Sequence, residues 1–364
     1  MRAIILVGGE GTRLRPLTYT TPKAMVPVLN RPYLAHLLAY LVRYGVTEVA
    51  LALGYLPDRI RAYFGQGEAL GIRLVYSVED RPLGTAGAAR LAAVHISVPM
   101  GEPVLILNGD VFTDLPIDRL IGLHRSAGAA VTLGLVPVAD PSQYGVVELA
   151  EDGQINSFVE KPPPGTAPSN LINAGIYVLD PAVLEMVPPG TFYQFEQGLF
   201  PALLKAGAKL YGFSWSGYWI DIGTPEKYRR LNFDLLTGKV CSPLVDPVGR
   251  APYYLGEGCI VDGARWVGPV VLGDRCRVGG GAELGETVIW DDVLIGPGAR
   301  VVRSVVGRGC RVGPGAVLED AVVGDHVEVG AGVKLEPGAR VDPGTAVADQ
   351  TRTFSSSGGW PCGS

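Results

Sequence analysis

One stretch decides the fold of this chain: Gly8-Gly9-Glu10-Gly11-Thr12-Arg13-Leu14-Arg15-Pro16-Leu17-Thr18, with Pro22-Lys23 shortly after it. It follows the apolar run Ala3-Ile4-Ile5-Leu6-Val7, which is typical of a buried strand in a parallel sheet. Three glycines in four positions allow the backbone to turn sharply and to bring several N–H groups close to a ligand. The stretch therefore predicts a buried strand that ends in a glycine-rich loop.

The charges beside this loop indicate a phosphate ligand. Backbone N–H groups in such a loop form a concave site for phosphate oxygens, and Arg13, Arg15 and Lys23 add positive charge. The loop lacks the Gly-Lys-Ser/Thr of a P-loop, and Arg13-Leu14 stand where the dinucleotide fingerprint has its third glycine. A plain tight turn is the alternative that the glycines alone leave open. With Thr12-Arg13 and Pro22-Lys23 added, we predict a nucleoside triphosphate site.

Residues 1 to about 238 alternate strand-like and helix-like segments. Apolar runs and apolar spacing predict strands and helices in turn, with strands at 46–53, 72–77 and 104–107 and helices at 34–41 and 57–64. Asn30 would cap the first helix, and Gly45 would end it. This alternation predicts an α/β fold with a Rossmann-like, mainly parallel mixed sheet flanked by helices. Ligands of such sheets bind beyond the C-terminal strand ends, where the glycine loop and Asp110 lie.

Two acids stand at apolar strand-like runs. Asp110 follows the run 104–107 in the motif Asn108-Gly109-Asp110, and Asp221 lies inside Trp219-Ile220-Asp221-Ile222. An acid placed where a buried strand emerges is well placed to hold a metal ion, and an unpaired buried carboxylate would be costly. The alternatives are a turn or helix-cap role for Asp110 and a buried, backbone-bonded role for Asp221.

These motifs resemble those of the sugar-1-phosphate nucleotidyltransferase family, and within it most closely those of GDP-mannose pyrophosphorylases (mannose-1-phosphate guanylyltransferases). Ala24 departs from the proline that many relatives carry, which leaves Lys23 intact. The motifs come in the family's order between residues 8 and 225. After the glycine stretch they are Pro82-Leu83-Gly84-Thr85-Ala86-Gly87, Asn108-Gly109-Asp110, Tyr144-Gly145-Val146-Val147, Val159-Glu160-Lys161-Pro162, Ile172-Asn173-Ala174-Gly175 and Trp219-Ile220-Asp221-Ile222-Gly223-Thr224-Pro225.

The resemblance implies an activity. A nucleotidyl group would pass from a nucleoside triphosphate to a sugar 1-phosphate, giving an NDP-sugar and pyrophosphate, with GTP and mannose 1-phosphate as the implied substrates. The resemblance also implies that Asp110 and Asp221 bind Mg²⁺. This ion is usually held by one or two carboxylates together with phosphate oxygens and water. Arg13, Lys23 and Lys161 are the implied catalytic residues.

The resemblance further implies which residues contact each substrate. The implied nucleotide-binding residues are Leu6, Gly8, Gly9, Gly11, Thr12, Arg13, Lys23, Leu83, Gly84, Thr85 and Asp110. The implied sugar-phosphate-binding residues are Gly145, Glu160, Lys161, Asn173 and Asp221. The residues alone leave blander roles open, with Lys161 as a solvated loop lysine and Gly145, Glu160 and Asn173 as turn or strand-end residues.

From about residue 253 the sequence changes to a six-residue repeat. Five apolar residues near its end are each six apart: Val323, Val329, Leu335, Val341 and Val347. An apolar residue every six, with glycines at the turns, is the signature of a parallel β-helix, and the resemblance implies a left-handed one. We expect about 18 residues per coil and roughly five coils, with irregular turns where the spacing slips by one residue, after Val301 and Leu318. Cys259, Cys276 and Cys310 keep the phase of the small residues, which predicts that they fill the core.

The chain is therefore expected to comprise a catalytic domain at 1–238, a linker at 239–252, a β-helix domain at 253–350 and a disordered tail at 351–364. The linker prediction rests on three prolines without periodicity, and the tail prediction rests on Ser and Gly content. The flat faces and open ends of a β-helix must be covered, so we expect a homo-oligomer.

Composition excludes several other classes. The net charge is −5 over 364 residues, with no long basic run, which argues against a nucleic-acid or membrane-surface role. No apolar stretch approaches the ~18 residues of a membrane span. The five cysteines form no Cys-x-x-Cys pair, and the N-terminal apolar run is too short for a signal peptide, so we expect a reducing cytoplasm.

Three other functions stay open at the level of sequence. A glucose-1-phosphate thymidylyl- or uridylyltransferase would keep the mechanism and change the base and the sugar. Hexapeptide β-helices also build acetyltransferases, for which His326 is the one histidine in this region. A non-catalytic regulatory subunit would use the β-helix for assembly and sensing, but the retained loop, lysines and acids argue against it. The sequence does not decide between a dimer and a tetramer or show whether the β-helix binds an allosteric ligand.

Overall fold

The fold is taken from a computed structural model, which describes residues 1–96, 98–99, 101–245 and 252–348. Two sets of residues pack as separate units. The sheet unit comprises Met1–Glu10 and Leu37–Asp221. The β-helix unit comprises Gly11–His36 and the described residues from Ile222 onwards. The domain boundaries at 238 and 253 stay predictions.

Strands and helices alternate through the first two thirds of the chain. The strands are β1 (Arg2–Val7), β2 (Pro27–Val28), β3 (Arg31–Pro32), β4 (Glu48–Leu53), β5 (Arg73–Val78), β6 (Val104–Asn108), β7 (Val111–Thr113), β8 (Val131–Pro137), β9 (Gly145–Leu149), β10 (Ile155–Glu160), β11 (Leu171–Leu179), β12 (Leu210–Ser214) and β13 (Trp219–Asp221). The helices are α1 (Tyr33–Arg43), α2 (Pro57–Phe64), α3 (Gly84–Ala93), α4 (Ile117–Ala127), α5 (Pro181–Glu185), α6 (Phe200–Lys205) and α7 (Pro225–Leu236).

Within the described residues, nine strands of the sheet unit form one mixed sheet in the order β10-β9-β11-β6-β1-β4-β5, with β8 beside β11 and β12 beside β8. β1 pairs in parallel with both β4 and β6, and β4 pairs in parallel with β5. β11 runs antiparallel to β6, β8 and β9. The predicted Rossmann-like mixed sheet is confirmed, and its parallel half brings the C-terminal ends of β1, β4, β5 and β6 to one edge.

The sheet forms because its central strands are continuous apolar runs. β4 is buried along its whole length, as are the first four residues of β6. α3 packs on β1 and β4, and one core cluster joins Ile4, Ala89 and Ile106 without solvent exposure. The strands predicted at 46–53, 72–77 and 104–107 are confirmed to within two residues, and the helix predicted at 57–64 is α2.

The prediction that Asn30 caps the first helix is wrong. Asn30 has a left-handed backbone (φ 60°) in the turn between β2 and β3, and α1 begins only at Tyr33. The Asn30 side-chain amide instead donates to the carbonyl of Leu272 (3.2 Å) and to Oδ1 of Asp274 (3.3 Å). A tertiary contact within the β-helix unit thus occupies the side chain that local sequence assigned to a helix end.

The C-terminal part of the β-helix unit consists of very short parallel strands. Their bounds are β14 (Tyr253–Leu255), β15 (Ile260–Val261), β16 (Arg265–Trp266), β17 (Val270–Leu272), β18 (Arg277–Val278), β19 (Glu283–Gly285), β20 (Thr287–Ile289), β21 (Leu294–Ile295), β22 (Arg300–Val302), β23 (Val305–Val306), β24 (Arg311–Val312), β25 (Val317–Glu319), β26 (Val322–Val323), β27 (Glu328–Val329), β28 (Arg340–Val341) and β29 (Ala346–Val347). Over the described ranges they stack into three sheets. Every third strand lies in the same sheet up to β27, after which β28 pairs with β26 and β29 pairs with β27. This is the predicted left-handed parallel β-helix.

Most coils of the β-helix are one residue shorter than predicted. Tyr253 pairs with Val270, and Arg277 pairs with Leu294, so the rise from coil to coil is 17 residues there. Only some steps take 18, as between Val322 and Arg340. A five-residue side in each short coil accounts for the one-residue slips of the hexapeptide phase.

The core of the β-helix confirms the predicted role of its cysteines. Cys276 and Cys310 are fully buried, and their thiols donate to the carbonyls of Trp290 and Gly324, each at 3.0 Å. Burial raises the pKa of each thiol to about 12, so both stay protonated. Cys259 is partly exposed at the first coil and packs against the same cluster.

Part of the predicted linker and the whole predicted tail lie outside the described residues, at 246–251 and 351–364. Before that gap, Val240 and Ser242 are buried, and Ser242 Oγ lies 2.7 Å from Nδ1 of His36. Among the described residues, every helix is too short or too polar to span a membrane.

Candidate nucleotide and sugar-phosphate site

The strand ends of the sheet unit meet backbone against backbone. A Cβ atom on Gly54, after β4, would lie 2.8 Å from the carbonyl oxygen of Gly8, after β1. A Cβ atom on Gly109, after β6, would lie 2.6 Å from the carbonyl oxygen of Leu6, to which the Gly109 N–H donates at 2.8 Å. Only glycine fits at positions 54 and 109. Because the backbone at Gly109 lies against the end of β1, the next residue, Asp110, lies beside the start of the glycine loop.

Two carboxylates lie on neighbouring backbone positions of this edge. Asp110 immediately precedes β7, and Asp221 ends β13, whose antiparallel register pairs Asp221 with Val111. Both acids are partly exposed, so neither carries the cost of a fully buried charge. No group of three or more His, Cys, Asp or Glu side chains suited to a metal occurs in the described ranges. Two partly exposed acids fit Mg²⁺, which fills its remaining positions with phosphate oxygens and water.

Asn108, the last residue of β6, carries a side-chain oxygen that accepts no hydrogen bond within the described residues. This atom, the Oδ1 of Asn108, is buried. A Cβ on Gly175, whose φ is 73°, would lie 2.7 Å from its Nδ2, so the Gly175 backbone presses directly on the amide. Buried acceptors normally find a partner, which makes this strand end a candidate contact for a ligand donor.

The second half of the glycine stretch belongs to the β-helix unit. Gly11 has a left-handed backbone (φ 64°) and opens a 3₁₀ turn at Thr12–Leu14. Thr18 Oγ1 donates to the Gly11 carbonyl at 2.8 Å, and a Cβ on Gly11 would lie 3.0 Å from Cβ of Lys23. Leu14 is fully buried, whereas Arg13 is exposed. The turn is therefore fixed by its apolar side chain, and the sequence motif does bring Lys23 against the glycine loop.

The residues assigned to the sugar phosphate come together in the sheet unit. Gly145 opens β9 opposite Glu160, and a Cβ on Gly145 would lie 2.8 Å from Glu160 Oε2. Lys161 follows with a left-handed backbone (φ 47°), and its Nζ lies 3.7 Å from Glu160 Oε1. The Lys161 N–H donates to the Tyr144 carbonyl at 2.9 Å. A bulkier residue at 145 would displace the carboxylate beside this lysine.

A chain of hydrogen bonds joins Asn173 to Thr85. The family resemblance assigned Asn173 to the sugar phosphate and Thr85 to the nucleotide. Asn173 Nδ2 donates to the Tyr177 hydroxyl (2.8 Å), which donates to Glu196 Oε1 (3.1 Å). Thr85 Oγ1 donates to the other oxygen of Glu196 (3.1 Å) and accepts from the Phe195 N–H (2.9 Å). Sequence reasoning missed Tyr177 and Glu196. In the sequence, Glu196 stands out only as an acid between the apolar residues Phe195 and Leu199. In the structure it lies in a π-helical turn (Phe195–Leu199), a feature often found at functional sites.

Two carboxylates of the sheet unit, those of Glu79 and Glu160, have a pKa that is raised above its usual value, mainly by burial. Burial and the neighbouring Glu196 raise the pKa of Glu160, against the opposing effect of Lys161. Burial raises the pKa of Glu79, whose Oε2 accepts from the Leu83 N–H at 2.7 Å. Glu79 Oε1 lies 3.5 Å from the position of a Cβ on Gly8. Glu79, which sequence reasoning also missed, thus accepts a hydrogen bond at the start of α3 and lies close to Gly8 at the end of β1.

The segment Leu83-Gly84-Thr85 is held by a neighbouring loop of the same unit. Gly84 has φ 70°, and a Cβ there would lie 2.7 Å from the Tyr193 carbonyl. That carbonyl accepts from the N–H groups of Ala86 and Gly87, both at 3.0 Å. The requirement for glycine at 84 is therefore steric as well as conformational.

A Rossmann-like sheet with its glycines and acids at one strand edge, followed in the same chain by a left-handed β-helix, defines an α/β nucleotidyltransferase with a β-helix extension. A family model described as nucleotidyl transferase matches residues 2–238, and one described as the GMPPB C-terminal domain matches residues 250–353. The chain belongs to the nucleotidyl transferase family.

Similar proteins carry related names. Mannose-1-phosphate guanylyltransferase of Mycobacterium tuberculosis is 39% identical over 263 residues, covering 72% of this chain and 70% of that protein. Mannose-1-phosphate guanyltransferase beta-A of Xenopus laevis is 41% identical over 260 residues, covering 71% and 69%. Among solved structures, HddC from Yersinia pseudotuberculosis complexed with GMP-PN is 31% identical, with a TM-score of 0.54 over 64% of this chain and 97% of that one.

Proposed function

We propose that this nucleotidyltransferase makes GDP-mannose and pyrophosphate from GTP and mannose 1-phosphate. The observation that carries the proposal is the identity of about 40% to proteins named mannose-1-phosphate guanylyltransferase, over more than two thirds of each chain. The guanine nucleotide analogue bound to the structurally similar HddC also supports a guanine base. A thymidylyltransferase has weaker support: a solved structure titled a putative glucose-1-phosphate thymidylyltransferase from Bacillus anthracis has a TM-score of 0.57 but is only 26% identical to this chain.

In the proposed reaction, a phosphate oxygen of mannose 1-phosphate attacks the α-phosphorus of GTP. A new P–O bond forms as the bond to the β-phosphate oxygen breaks, and its electron pair leaves with pyrophosphate. The nucleophile is already an anion, so the protein needs to align the groups and neutralise charge rather than supply a strong base.

The proposed roles follow the charges within each unit. In the β-helix unit, Gly11, Thr12 and Arg13 contact the β- and γ-phosphates, and Lys23 neutralises charge near the bond that breaks. In the sheet unit, Gly8, Gly9 and Leu6 face the nucleotide, and Lys161 positions the attacking phosphate. Asp110 and Asp221 would hold Mg²⁺, which when bound offsets the charge on the phosphate oxygens.

The hydrogen-bond chain of the sheet unit suits recognition of the sugar. Asn173 and Glu160 together offer donors and acceptors for sugar hydroxyls, and Gly145 keeps the space beside Glu160 open. Tyr177 fixes the amide of Asn173, because a fully buried hydroxyl holds one partner on each side. The rotamer of Asn173 is thereby set before the substrate binds.

Glu79 is the proposed contact for the base. Guanine presents two adjacent N–H donors on one edge, and a carboxylate can accept from both. The carboxylate of Glu79 accepts a hydrogen bond from the N–H of Leu83, which lies in the segment Leu83-Gly84-Thr85 that the family resemblance assigns to nucleotide binding. One carboxylate oxygen remains directed toward Gly8. Uracil, thymine and adenine lack this pair of donors, so Glu79 would favour GTP.

We further propose that the enzyme is cytoplasmic and that copies of it associate through the β-helix. The flat faces and open ends of a β-helix favour association, and light scattering of the purified protein would test it.

The experiment that tests the function is pyrophosphate release with Mg²⁺, crossing GTP, dTTP, UTP and ATP with mannose 1-phosphate, glucose 1-phosphate and glucosamine 1-phosphate. We expect release dominated by GTP with mannose 1-phosphate. Dominance of dTTP or UTP with glucose 1-phosphate would overturn the substrates and keep the chemistry. The absence of pyrophosphate release with every pair of substrates would contradict the proposed function.

A further inference from the structure

The β-helix reaches the nucleotide-binding loop through one arginine. Arg340, at the start of β28, donates from Nη1 to the carbonyl oxygen of Arg13 at 3.0 Å and also to that of Arg15. All three residues belong to the β-helix unit. Hydrogen bonds from a charged donor are about twice as strong as neutral ones, so this contact is a substantial restraint on two peptide groups.

Arg340 completes the hydrogen bonding of the loop. Inside the 3₁₀ turn, the carbonyls of Gly11 and Thr12 accept from the N–H groups of Leu14 and Arg15, at 2.9 and 3.2 Å. The next carbonyls along the chain have no partner inside a turn this short, and Arg340 supplies one. The Arg13–Leu14 and Arg15–Pro16 peptide groups are therefore held from the β-helix, and with the first of them the direction in which the Arg13 side chain leaves the loop.

A second and a third contact attach the same segment to other coils. Thr20 Oγ1 donates at 2.7 Å to Asp325 Oδ2, and Asp325 is buried with its Oδ1 accepting from the Arg308 N–H at 2.8 Å. Asn30 donates to Asp274. Asp274, Arg308 and Asp325 lie at equivalent positions of coils that repeat every 17 residues. The turns of the β-helix thus form a row of anchors along residues 11–36.

We propose that Arg340 is a positioning residue for nucleotide binding: it acts through the Arg13 and Arg15 carbonyls to aim the Arg13 guanidinium at the β- and γ-phosphates. The inference rests on the proposed function, in which Arg13 contacts those phosphates. It makes the β-helix part of the nucleotide site rather than a scaffold alone. Pyrophosphate consists of the same β- and γ-phosphates, so the effect must show in both directions of the reaction.

The test is steady-state kinetics of Arg340→Ala in both directions. We expect the KM for GTP and the KM for pyrophosphate each to rise about tenfold, the scale of losing a charge-assisted contact. The KM values for mannose 1-phosphate and GDP-mannose should stay within about twofold. Arg340→Lys keeps a charged donor and should recover part of the loss. Arg311→Ala is the matched control, because Arg311 is an exposed arginine of the β-helix whose ion pair is with Glu328.

A double-mutant cycle identifies the route of the effect. If Arg340 acts through Arg13, Arg340→Ala should change the KM for GTP little in an Arg13→Ala background. Additive losses, or a lower kcat with all four KM values unchanged, would overturn the proposal. Should another nucleotide prove to be the substrate, the cycle is run with that nucleotide. If no pair of substrates turns over, the affinity for GTP is measured by calorimetric titration of wild type and Arg340→Ala. Equal affinities of the two proteins would overturn the proposed role of Arg340.

Discussion

The hydroxyl of Tyr177 donates to Glu196 across 3.1 Å, and through this bond a fully buried tyrosine connects Asn173 to Thr85. The two ends of this hydrogen-bond chain, Asn173 and Thr85, belong to the sets of residues proposed to bind the sugar and the nucleotide, respectively. A change at one end can therefore alter the other without any movement of the backbone, because each hydrogen-bonded group fixes the rotamer of the next.

Replacing Tyr177 with Phe should raise the KM for mannose 1-phosphate about tenfold and the KM for GTP less. The substitution leaves the Asn173 amide and one Glu196 oxygen without their buried partner, at a cost of roughly 1–3 kcal/mol shared between stability and binding. Steady-state kinetics and thermal melting measure both parts. Tyr76→Phe serves as the control, because it removes a hydroxyl that donates to the Gly65 carbonyl from a partly exposed position on β5. Unchanged KM values in Tyr177→Phe would show that the chain does not set the sugar site.

The sequence predicted those parts of the fold whose signal is local and periodic. Continuous apolar runs predict β1, β4 and β6, because strands buried on both faces need no polar alternation. The hexapeptide repeat predicts the β-helix, because each coil buries the same inward positions. Asn30 shows the limit: local sequence favours a helix cap, and a carbonyl 242 residues away takes its amide instead.

The sequence predicted those site residues that are close together along the chain. It did not predict contacts between residues that only the fold brings together. Lys23 follows the glycine loop by sequence and lies against Gly11 in the structure. Glu196 pairs with Thr85, 111 residues away, and Arg340 reaches Arg13 over 327 residues. No spacing rule connects such pairs, because their closeness depends on how strands and coils stack. The 17-residue coil could have been anticipated, since the slips of the hexapeptide phase record it.

Asp110→Asn and Asp221→Asn should each lower kcat/KM by about 10²–10³, because each removes a charge proposed to hold Mg²⁺. Backbone geometry should survive, since asparagine keeps the size of the side chain. Pyrophosphate release at increasing Mg²⁺ measures the effect, and part of the activity should return at high Mg²⁺. Asp58→Asn changes an acid at the first turn of α2 whose side chain is 94% exposed, and its activity should match wild type. Full activity of Asp221→Asn at low Mg²⁺ would remove it from the metal site.

Glu79→Gln should reduce the preference for GTP over dTTP by about tenfold or more. Glutamine keeps an acceptor for the Leu83 N–H, but its NH₂ group would face the N–H donors of guanine in place of an oxygen. The ratio of kcat/KM values for the two nucleotides measures the change. Asp80→Asn alters the adjacent, exposed acid and should keep the ratio of the wild type. A ratio that does not move in Glu79→Gln would place base recognition elsewhere.

His36 should make the protein less stable in mild acid. Burial is the main reason that the pKa of His36 falls from 6.5 to about 4, and its ring lies between Ser242 Oγ and the Val28 carbonyl. Because the folded state holds this ring neutral, its contribution is complete above the unfolded pKa and is lost as the pH falls toward the folded one. Between about pH 7 and about pH 5 the loss should approach about 2 kcal/mol in the free energy of unfolding. Urea unfolding at both values measures it, and His36→Gln should show a correspondingly smaller difference, whereas exposed His95→Gln should behave as wild type. An equal difference in wild type and His36→Gln would mean that other groups cause the acid sensitivity.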